Sequence, residues 1–528
     1  MLSFFATGPV IIAVLLFILP FEKAARVIAA AAETALFGFA FYVFLQCKNG
    51  DITQRIGNYE GFLGIILTAD TLACVFLMLC SLLFLIGTVY SFSDKHSRLF
   101  WFFLFTWQGL LNGVFLSNDM FNVFVLVEVA TVVVAVLIMF NRDNRSMYDG
   151  MVYLMVNIVA MQFYLFGLGY LYKLTGTLDM TGAAEAAVRM ENASLLLPFA
   201  LIMTAISLKC ALAPMFGWFT KAYTPSTPSA ATALLSGIHA KVGVYLFIRF
   251  SAVFKELMLT DFFLIIGIIT GVTGAVLALS QTDVRLILAY STVSQIGLIM
   301  IGLNVSDIHF YAGGVYHIFN HAIFKSALFM CAGVLTKAYG TRDIDKIRGV
   351  LKEYPTVGAA TAMAVLGIIG TPFFNGSVSK YFITSGAGLL VEGLVVFINL
   401  CTITVFIKYS AMLFGQAPDG FTKTKTDVFK QASVLFLGAL CLAGGVFGEQ
   451  AIKFLFGVDA SIDAAGYAVK TGLFALSAAA GYLIYKHFVK RSKLFVKLRE
   501  TDMGFRWICV SIGGFFALTL ITAKLFAV

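Results

Sequence analysis

The chain has 528 residues, of which 60% are hydrophobic and only 12% are charged. Ordinary soluble chains are about 45–50% apolar and about 25% charged, so this composition excludes a typical water-soluble fold. The formal net charge is +9, which in a soluble chain would suggest a nucleic-acid partner. We instead expect a polytopic membrane protein with no nucleic-acid partner, because lipid solvates apolar side chains directly.

Apolar runs of about 20 residues, the length that crosses a bilayer as a helix, recur along the whole chain. The first run has no basic residue before it, which is the wrong polarity for a cleaved signal peptide, so we predict a retained span. Sixteen runs are predicted, near residues 2–20, 24–46, 66–92, 99–117, 120–140, 148–171, 194–213, 228–250, 261–280, 286–303, 308–336, 357–384, 390–413, 430–447, 466–486 and 506–526.

Basic residues between the runs indicate orientation, because cytoplasmic loops are enriched in lysine and arginine. The odd-numbered loops carry 23 of these residues, against 9 in the even-numbered loops and the C-terminal end. This asymmetry predicts cytoplasmic odd loops and both termini outside. Loop 486–506 is the most basic and is interpreted as a cytoplasmic anchor near anionic lipid, with docking of another subunit as the alternative.

Five lysines lie inside apolar runs: Lys209, Lys241, Lys325, Lys380 and Lys408. A lysine at the centre of a transmembrane helix costs at least about 2.5–3.5 kcal/mol to insert, so each needs a partner, a cavity or water. Lys408 lies near the cytoplasmic end of its run, where it can also reach the interface by snorkelling. The other four are therefore the stronger candidates for a functional role.

Carboxylates inside the runs are equally sparse. Glu128, in FNVFVLVEVATVVVAVLIMF, is predicted to be the one carboxylate well inside a span, whereas Asp70, Asp119 and Glu392 lie near span ends. An isolated buried carboxylate takes up a proton and an isolated buried lysine releases one. A neighbouring Glu–Lys pair can instead stay charged until a proton breaks it, so such a pair would act as a proton switch.

The segment VYHIFNHAIFKSALF places His317, His321 and Lys325 on one helix face. Titratable groups about 6 Å apart along a helix can pass a proton through intervening water, and histidine titrates near neutral pH. Two other interpretations remain open. The residues could join neighbouring helices through hydrogen bonds, or the two histidines could ligate haem or a metal.

Pro214 and Pro372 interrupt apolar runs, and each should kink or break its helix because proline lacks an amide proton. A lysine follows each break: Lys221 in APMFGWFTKAY and Lys380 in TPFFNGSVSKYF. Paired broken helices in the two halves of a transporter indicate an inverted repeat with ion sites near the membrane midplane. The breaks fall in the seventh and twelfth runs, and this odd offset reverses the orientation of the second half.

Together these residues resemble the antiporter-like subunits shared by respiratory complex I, membrane-bound hydrogenases and Mrp-type multisubunit Na+/H+ antiporters. The resemblance extends from about residue 60 to 415 and rests on SNDMFNVFVLVE, LKCALAPMFGWFTKAY, LLSGIHAKVGVYLFIR, VRLILAYSTVSQIG, VYHIFNHAIFKSALFMCAG and TPFFNGSVSK.

The resemblance implies an all-α polytopic membrane fold with about 14 core transmembrane helices, two inverted five-helix repeats and broken helices 7 and 12, plus about two extra C-terminal helices. The expected divisions are 1–98 for helices 1–3, 99–250 for the first repeat, 261–415 for the second repeat and 430–528 for the C-terminal helices.

For function, the resemblance implies an ion-translocating subunit that works with other membrane subunits in the cytoplasmic membrane of a bacterium or archaeon. It would move H+, with Na+ as the candidate counter-ion. Glu128 and Lys209 would form the acid–base pair of the first half-channel, Lys241 would continue the path, and Lys380 would close the second half. His317, His321 and Lys325 would form the central relay, and the further candidates are Lys221, Lys408 and Asp119.

The sequence offers no nucleophile–base pair, phosphate-binding loop or metal-ligand spacing, so we predict no cofactor, no metal and no catalytic site. The sequence leaves open that the chain is a subunit of a redox-driven pump in which other subunits carry out the redox chemistry. The alternatives to ion translocation are a redox subunit that binds haem or quinone through His317 and His321, and a mainly structural membrane arm. A stand-alone transporter is a further alternative.

Overall fold

The computed structural model describes residues 1–19, 22–57, 64–305, 308–384, 388–500 and 503–526. Within these ranges, fourteen helices are long and apolar enough to cross a membrane, and two shorter apolar helices, Ser3–Ile18 and Pro355–Ile369, accompany them. Each of the sixteen predicted runs overlaps one of these helices. The prediction of an all-α polytopic membrane protein is therefore confirmed, as expected where lipid forces the backbone to satisfy its own hydrogen bonds.

The N-terminal part combines three helices with a two-stranded hairpin. The predicted run from residue 66 is wrong at its start, because residues 65–69 pair with 52–56 as an antiparallel ladder. Asp70 is the N-cap of the following helix, because its side chain accepts a hydrogen bond from the Ala73 amide. The elements are α1 (Ser3–Ile18), α2 (Glu22–Cys47), β1 (Ile52–Ile56), β2 (Ile65–Ala69) and α3 (Thr71–Tyr90).

The first half of the core continues from this bundle. One turn of π-helix, Leu235–His239, joins its last two helices into a continuous apolar span. Its helices are α4 (Arg98–Leu116), α5 (Met120–Ile138), α6 (Asn144–Thr175), α7 (Met180–Ala187), α8 (Asn192–Lys209), α9 (Gly217–Lys221), α10 (Ser229–Leu234) and α11 (Ala240–Val253).

The second half repeats the local architecture of the first. In each half, an aspartate caps the second helix of the series. The backbone of the same aspartate forms an isolated antiparallel β-bridge with that of a later aspartate: Asp119 with Asp179, and Asp283 with Asp343. The third helix has 32 residues in both halves. The helices of this half are α12 (Thr260–Ser280), α13 (Val284–Leu303), α14 (Ile308–Tyr339), α15 (Val350–Glu353), α16 (Pro355–Ile369), α17 (Asn375–Thr384) and α18 (Leu389–Ser410).

Both predicted helix breaks are present. The chain leaves α8 at Lys209 and resumes helix at Gly217, and it leaves α16 at Ile369 and resumes at Asn375. A non-glycine residue is left-handed at each break, Ala211 with φ 55° and Phe373 with φ 69°. Such conformations cost on the order of 1–3 kcal/mol each, so the surrounding packing must hold them in place.

The C-terminal helices pack back onto both halves. The longest, Ala464–His487, lies on α18, and the last, Phe505–Phe526, lies on α8 and α6. The predicted basic loop 486–506 contains a short helix that contacts α12, and residues 501–502 of that loop lie outside the described residues. These helices are α19 (Val428–Val446), α20 (Gly448–Phe456), α21 (Ala464–His487), α22 (Lys493–Arg499) and α23 (Phe505–Phe526).

Candidate functional site

Lys209 is the last residue of α8 and its side chain is buried. Its Nζ donates to Thr131 Oγ1 at 2.9 Å. Glu128 lies one turn before Thr131 on α5, close enough for its charge to interact with that of Lys209. Among the described residues no direct ion pair joins them, and Glu128 Oε1 is buried without a hydrogen-bond partner. The structure therefore brings the predicted acid and base together, with Thr131 as the immediate acceptor.

Lys241 is fully buried at the start of α11. Its Nζ donates to the backbone carbonyl of Ser236, which belongs to the π-helical turn before α11. A π turn disturbs the regular ladder of backbone hydrogen bonds and is often found at functional sites. The local backbone thus supplies a neutral acceptor for this lysine.

His239 lies two residues before Lys241 and is also buried, although no role was predicted for it. Its Nδ1 accepts from Trp107 Nε1 at 3.3 Å, and its Nε2 lies 3.0 Å from Tyr153 Oη. An indole nitrogen only donates, so the neutral imidazole carries its proton on Nε2 and points it at Tyr153. Its position inside an apolar run beside a buried lysine was the signal that could have identified it.

Lys325 is fully buried on α14 and contacts two acceptors on α13. Its Nζ donates to the Leu288 carbonyl at 2.9 Å and to Ser291 Oγ at 2.5 Å. Its ammonium also lies 5.7 Å from the centre of the Phe406 ring, within the range of a cation–π contact. The predicted central lysine is therefore held by α13 and α18 rather than by a carboxylate.

The two histidines before Lys325 differ in their surroundings, although their ring centres are only 6.4 Å apart. His317 Nδ1 lies 2.8 Å from Ser379 Oγ, and its Nε2 lies 3.1 Å from Gln295 Oε1. His321 is fully buried and neither of its ring nitrogens has a hydrogen-bond partner among the described residues. Hence His317 links α14 to α13 and α17, whereas both nitrogens of His321 are available to a mobile donor or acceptor.

Lys380 is buried on α17, just after the second helix break. Its Nζ donates at 2.6 Å both to the Ile368 carbonyl and to Asn399 Oδ1. Ile368 belongs to the last turn of α16, where carbonyls lack intrahelical partners. The break thus exposes a backbone carbonyl to a buried lysine.

Lys380 also borders a cavity of about 80 Å³, which has room for water. Lys470 and Glu392 line this cavity and form an ion pair at 3.5 Å. Glu392 is in the first turn of α18, so the cavity lies near the N-terminal end of that helix.

A larger cavity of about 920 Å³ is linked to the C-terminal end of α18 through a series of contacts. Lys408, in the last turn of α18, donates to the Gln281 carbonyl, close in sequence to Asp283. Asp283 pairs at 2.7 Å with Arg342, which lines the larger cavity. Its wall combines loop residues with residues from the first turns of α13 and α19, including Asp94, His96, Asn141, Ser226, Arg285 and Lys430.

Asp94 supplies a carboxylate to the lining of the larger cavity. Its Oδ1 lies 2.7 Å from Lys430 Nζ, and its Oδ2 lies 3.6 Å from His96 Nε2. Burial raises the pKa of the Asp94 carboxyl, but hydrogen bonds and charges from His96 and Lys430 outweigh this and lower the pKa to about 2. Asp94 is therefore ionised near neutral pH and partly neutralises an otherwise basic cavity.

The three further candidates take part in local structure. Lys221 is buried and lies 3.3 Å from Asp149 Oδ1 on α6. Asp119 caps α5 by accepting from the Asn122 amide at 2.6 Å. Lys408 donates to the Leu279 carbonyl at 2.9 Å, at the C-terminal end of α12, where a cation interacts favourably with the helix dipole.

One buried carboxylate was missed. The prediction that Glu128 is the only carboxylate well inside a span is wrong, because Glu33 lies in the middle of α2 and is fully buried. Its presence within the apolar run AAAAETALFGFAF was the available signal.

Fold and site together define a polytopic membrane protein with four buried lysines, Lys209, Lys241, Lys325 and Lys380, on its apolar helices. The family model described as NADH:quinone oxidoreductase/Mrp antiporter, TM matches residues 117–407. The chain belongs to this family, as the motifs predict.

Relatives from two branches of the family are similar to the chain. A Na(+)/H(+) antiporter subunit of Alkalihalophilus pseudofirmus is 30% identical over 373 residues, covering 69% of this chain and 76% of the relative. An NADH-quinone oxidoreductase subunit of Desulforudis audaxviator is 30% identical over 379 residues, covering 66% and 74%. A chain of the Mrp complex from Dietzia sp. DQ12-45-1b has the same fold, with a TM-score of 0.79 at 21% identity, covering 92% of this chain and 98% of that one.

Proposed function

We propose that this chain is the ion-translocating subunit of a multisubunit membrane complex and moves H+ along its buried lysines. The observation that carries this proposal is the chemistry of the acceptors. In the described part of the chain, hydrogen bonds from the amines of four buried lysines end on hydroxyl, amide or backbone carbonyl oxygens rather than on carboxylates; the lysines are Lys209, Lys241, Lys325 and Lys380.

Neutral acceptors suit proton transfer. A lysine in a tight ion pair is held as an ammonium, whereas an ammonium that donates to a neutral oxygen can release its proton without leaving a carboxylate charge uncompensated. Each buried lysine can then alternate between amine and ammonium at low cost, provided that neighbouring charges change in step. This is the requirement for a chain of proton-binding sites.

The first step of the mechanism is the protonation of Glu128. While Glu128 is charged, it attracts the Lys209 ammonium, which rests on Thr131 one turn away. A proton on Glu128 removes that attraction, and the Lys209 proton is then free to move toward His239 and Lys241, because His239 is close enough to interact with the Lys209 charge.

The later steps use α14 and α17. Neither ring nitrogen of His321 has a hydrogen-bond partner among the described residues. His321 is also close enough to Lys241 and Lys325 to interact with the charges of both lysines. His317 continues toward Ser379, the residue before Lys380. Repulsion between like charges on successive groups would push the proton onward, and Lys380 would pass it to the adjoining cavity.

The cavities support access from opposite sides of the membrane. The 920 Å³ cavity lies among loops predicted to be cytoplasmic, and the 80 Å³ cavity at Lys380 lies toward the opposite end of α18. We propose that these are the two aqueous mouths, in a protein whose odd loops face the cytoplasm and whose termini face outside. Inverted orientation of the two similar halves would give each mouth its own half of the path.

The relatives' names support the choice of ion and setting. One similar protein is named as a subunit of a Na(+)/H(+) antiporter, and a similar fold occurs in an Mrp complex. We therefore propose that H+ moves along Lys209, Lys241, Lys325 and Lys380, which we call the lysine line. Na+ would be its counter-ion, and other membrane subunits would be the partners. The haem alternative is less well supported, because both ring nitrogens of His317 face side-chain hydrogen-bond partners.

The test is H+ and Na+ flux in vesicles that contain the assembled complex with Lys209→Ala. We expect flux per complex to fall to background, whereas Lys173→Ala, at an exposed lysine in the last turn of α6, should retain it. Undiminished flux with normal assembly would refute the proposal. A lower yield of complex with unchanged flux per complex, for both Glu128→Ala and Lys380→Ala, would favour a structural membrane arm instead.

A further inference from the structure

Glu33 lies outside the lysine line, in a polar site among α1, α2, α3 and α4. Gln108 Nε2 on α4 donates to Glu33 Oε2 at 2.8 Å, and both side chains are fully buried. One turn further along α4, Asn112 Nδ2 donates to the Phe5 carbonyl at 3.1 Å. Pro9 has no amide proton to offer that carbonyl, so the amide side chain replaces the missing helical bond.

In the part of the chain that the structure describes, the carboxylate of Glu33 has no cationic partner and receives a single hydrogen bond, from Gln108. The titratable group close enough to interact with it is Cys80 on α3. Helix α1 carries no titratable side chain, and the only one on α4 is Arg98, at the end far from Gln108 in sequence. A buried carboxylate charge in this setting would be uncompensated, which is costly.

Two acceptor atoms of the pair are left without partners. Glu33 Oε1 and Gln108 Oε1 are both buried and neither receives a hydrogen bond in the described part of the chain. An ionised carboxylate and an amide oxygen can only accept, so nothing within the ionised pair can satisfy them. One added proton on Glu33 Oε1 can form a hydrogen bond that gives both oxygens a partner.

We propose that Glu33 is a membrane-embedded proton-binding site. The carboxylate takes one proton from water, the new Oε1–H bond donates to Gln108 Oε1, and the existing bond from Gln108 Nε2 to Glu33 Oε2 completes a two-bond ring. The net charge of the pair falls from −1 to zero, and both oxygens gain a partner. The site is a neutral acid–amide pair, distinct from the Glu–Lys pair of Glu128 and Lys209.

Helix α4 places this site beside the lysine line. Gln108 contacts Glu33, while the preceding residue, Trp107, donates to His239, two residues before Lys241. Loss of the proton from Glu33 would remove one of the two hydrogen bonds between α2 and α4 and leave both oxygens without a partner. Protonation of Glu33 thus acts on the helix that orients His239.

Infrared difference spectroscopy of the assembled complex in lipid vesicles tests this proposal independently of transport, because it detects the carboxyl group itself. At neutral pH we expect the carbonyl band of one protonated carboxyl that disappears in Glu33→Gln, a variant that keeps an amide in the same place. The matched control Glu185→Gln, at an exposed carboxylate on α7, should keep the band. A wild-type complex without such a band, or a Glu33→Gln complex that keeps it, would overturn the proposal.

A second variant keeps the proposal testable if Glu33→Gln fails to assemble. Gln108→Leu removes the amide partner but leaves the carboxyl, so we expect the same band shifted to higher frequency. An unshifted band in assembled Gln108→Leu would contradict the acid–amide pair. Raising the Na+ concentration at constant pH should leave the wild-type band unchanged, and loss of the band would instead identify a sodium site.

Discussion

At the residue scale, hydropathy located the buried lysines, but their partners depend on distant parts of the chain. Lys325 contacts Leu288 and Ser291, and Lys380 contacts Ile368 and Asn399. Backbone carbonyls and hydroxyls occur throughout the sequence, so no residue type marks the ones that meet a lysine. A sequence can therefore show that a buried lysine needs an acceptor without showing which acceptor it has.

Thr131 provides the first residue-scale prediction. Its hydroxyl donates to the Val127 carbonyl and accepts from Lys209, so Thr131→Val removes the acceptor and leaves the ammonium to Glu128. A hydrogen bond to a charged group contributes about 1.5–3 kcal/mol, and a barrier increase of about 1.4 kcal/mol slows a step tenfold. We expect H+ flux per complex to fall about tenfold or more in a vesicle assay.

The matched control for this variant is Thr361→Val. Thr361 is equally buried and donates to the carbonyl of Val357, but among the described residues no lysine donates to it. Its flux should remain close to that of the wild type. Equal losses in both variants would show that a buried threonine matters only for packing.

Asp94 gives a pH-dependent prediction. The pKa of Asp94 in the folded protein is about 2, below its ordinary value of 3.8, so ionised Asp94 stabilises the fold. This contribution is fully present above about pH 4 and is lost as the pH falls through about 2. Because Asp94 is partly exposed, we expect Asp94→Asn to cost only about 1 kcal/mol at neutral pH.

The measurement is the unfolding midpoint of both proteins across pH. The difference between wild type and Asp94→Asn should be greatest at neutral pH and should shrink toward pH 2. Asp419→Asn, at an exposed loop position, should follow the wild type. A difference that is independent of pH would contradict an ionised, stabilising Asp94.

At the element scale, the helix breaks and the π turn bring backbone groups to the lysines. Proline indicated where both breaks would occur, and the structure has them at α8–α9 and α16–α17. Nothing in the local sequence indicated the π turn, the hairpin or the short helix α20, because these depend on packing against neighbouring elements. Close backbone approach at glycines is one part of that packing.

Gly243 provides an element-scale prediction. A Cβ at this position would overlap with the backbone of Lys209 and Cys210, so α11 can approach the end of α8 only because residue 243 has no side chain. We expect Gly243→Ala to destabilise the protein by about 1–3 kcal/mol, as overpacking does, and to displace Lys209 so that H+ flux falls. Thermal unfolding and vesicle flux measure the two effects.

The control for this variant is Gly393→Ala in α18. No atom lies within 4 Å of a Cβ at that position in the described part of the chain, so the added methyl group meets open space. Stability and flux should both match the wild type. A wild-type melting temperature for Gly243→Ala would show that the two helices are not in tight contact.

At the scale of the whole molecule, two similar halves are joined by C-terminal helices that contact both. Helix α21 packs on α18 in the second half, and α23 packs on α8 and α6 in the first. Arg499 strengthens this link by donating to the Ser280 carbonyl at 2.9 Å, at the end of α12. The basic segment before α23 is therefore partly used within the chain, in addition to any contact with lipid or another subunit.

Orientation is the whole-molecule prediction. The excess of basic residues in odd loops places the loop with Asp419 in the cytoplasm and the loop with Ser461 outside. In sealed right-side-out vesicles, a membrane-impermeant maleimide should label Ser461→Cys at once and Asp419→Cys only after lysis. Both positions are exposed, and labelling of the unmodified protein gives the background of its eight native cysteines. The reverse pattern would place both termini in the cytoplasm.

The sequence by itself determined the class of fold, the positions of the sixteen apolar helices, the two breaks and the family. These features follow from composition, from proline chemistry and from local motifs, all of which act over a few turns of helix. Only the tertiary structure decided that Lys209 rests on Thr131, that His239 lies between Trp107 and Tyr153, and that Glu33 is paired with Gln108. Such contacts join residues far apart in the chain, and the geometry of packed helices alone fixes which polar atoms meet.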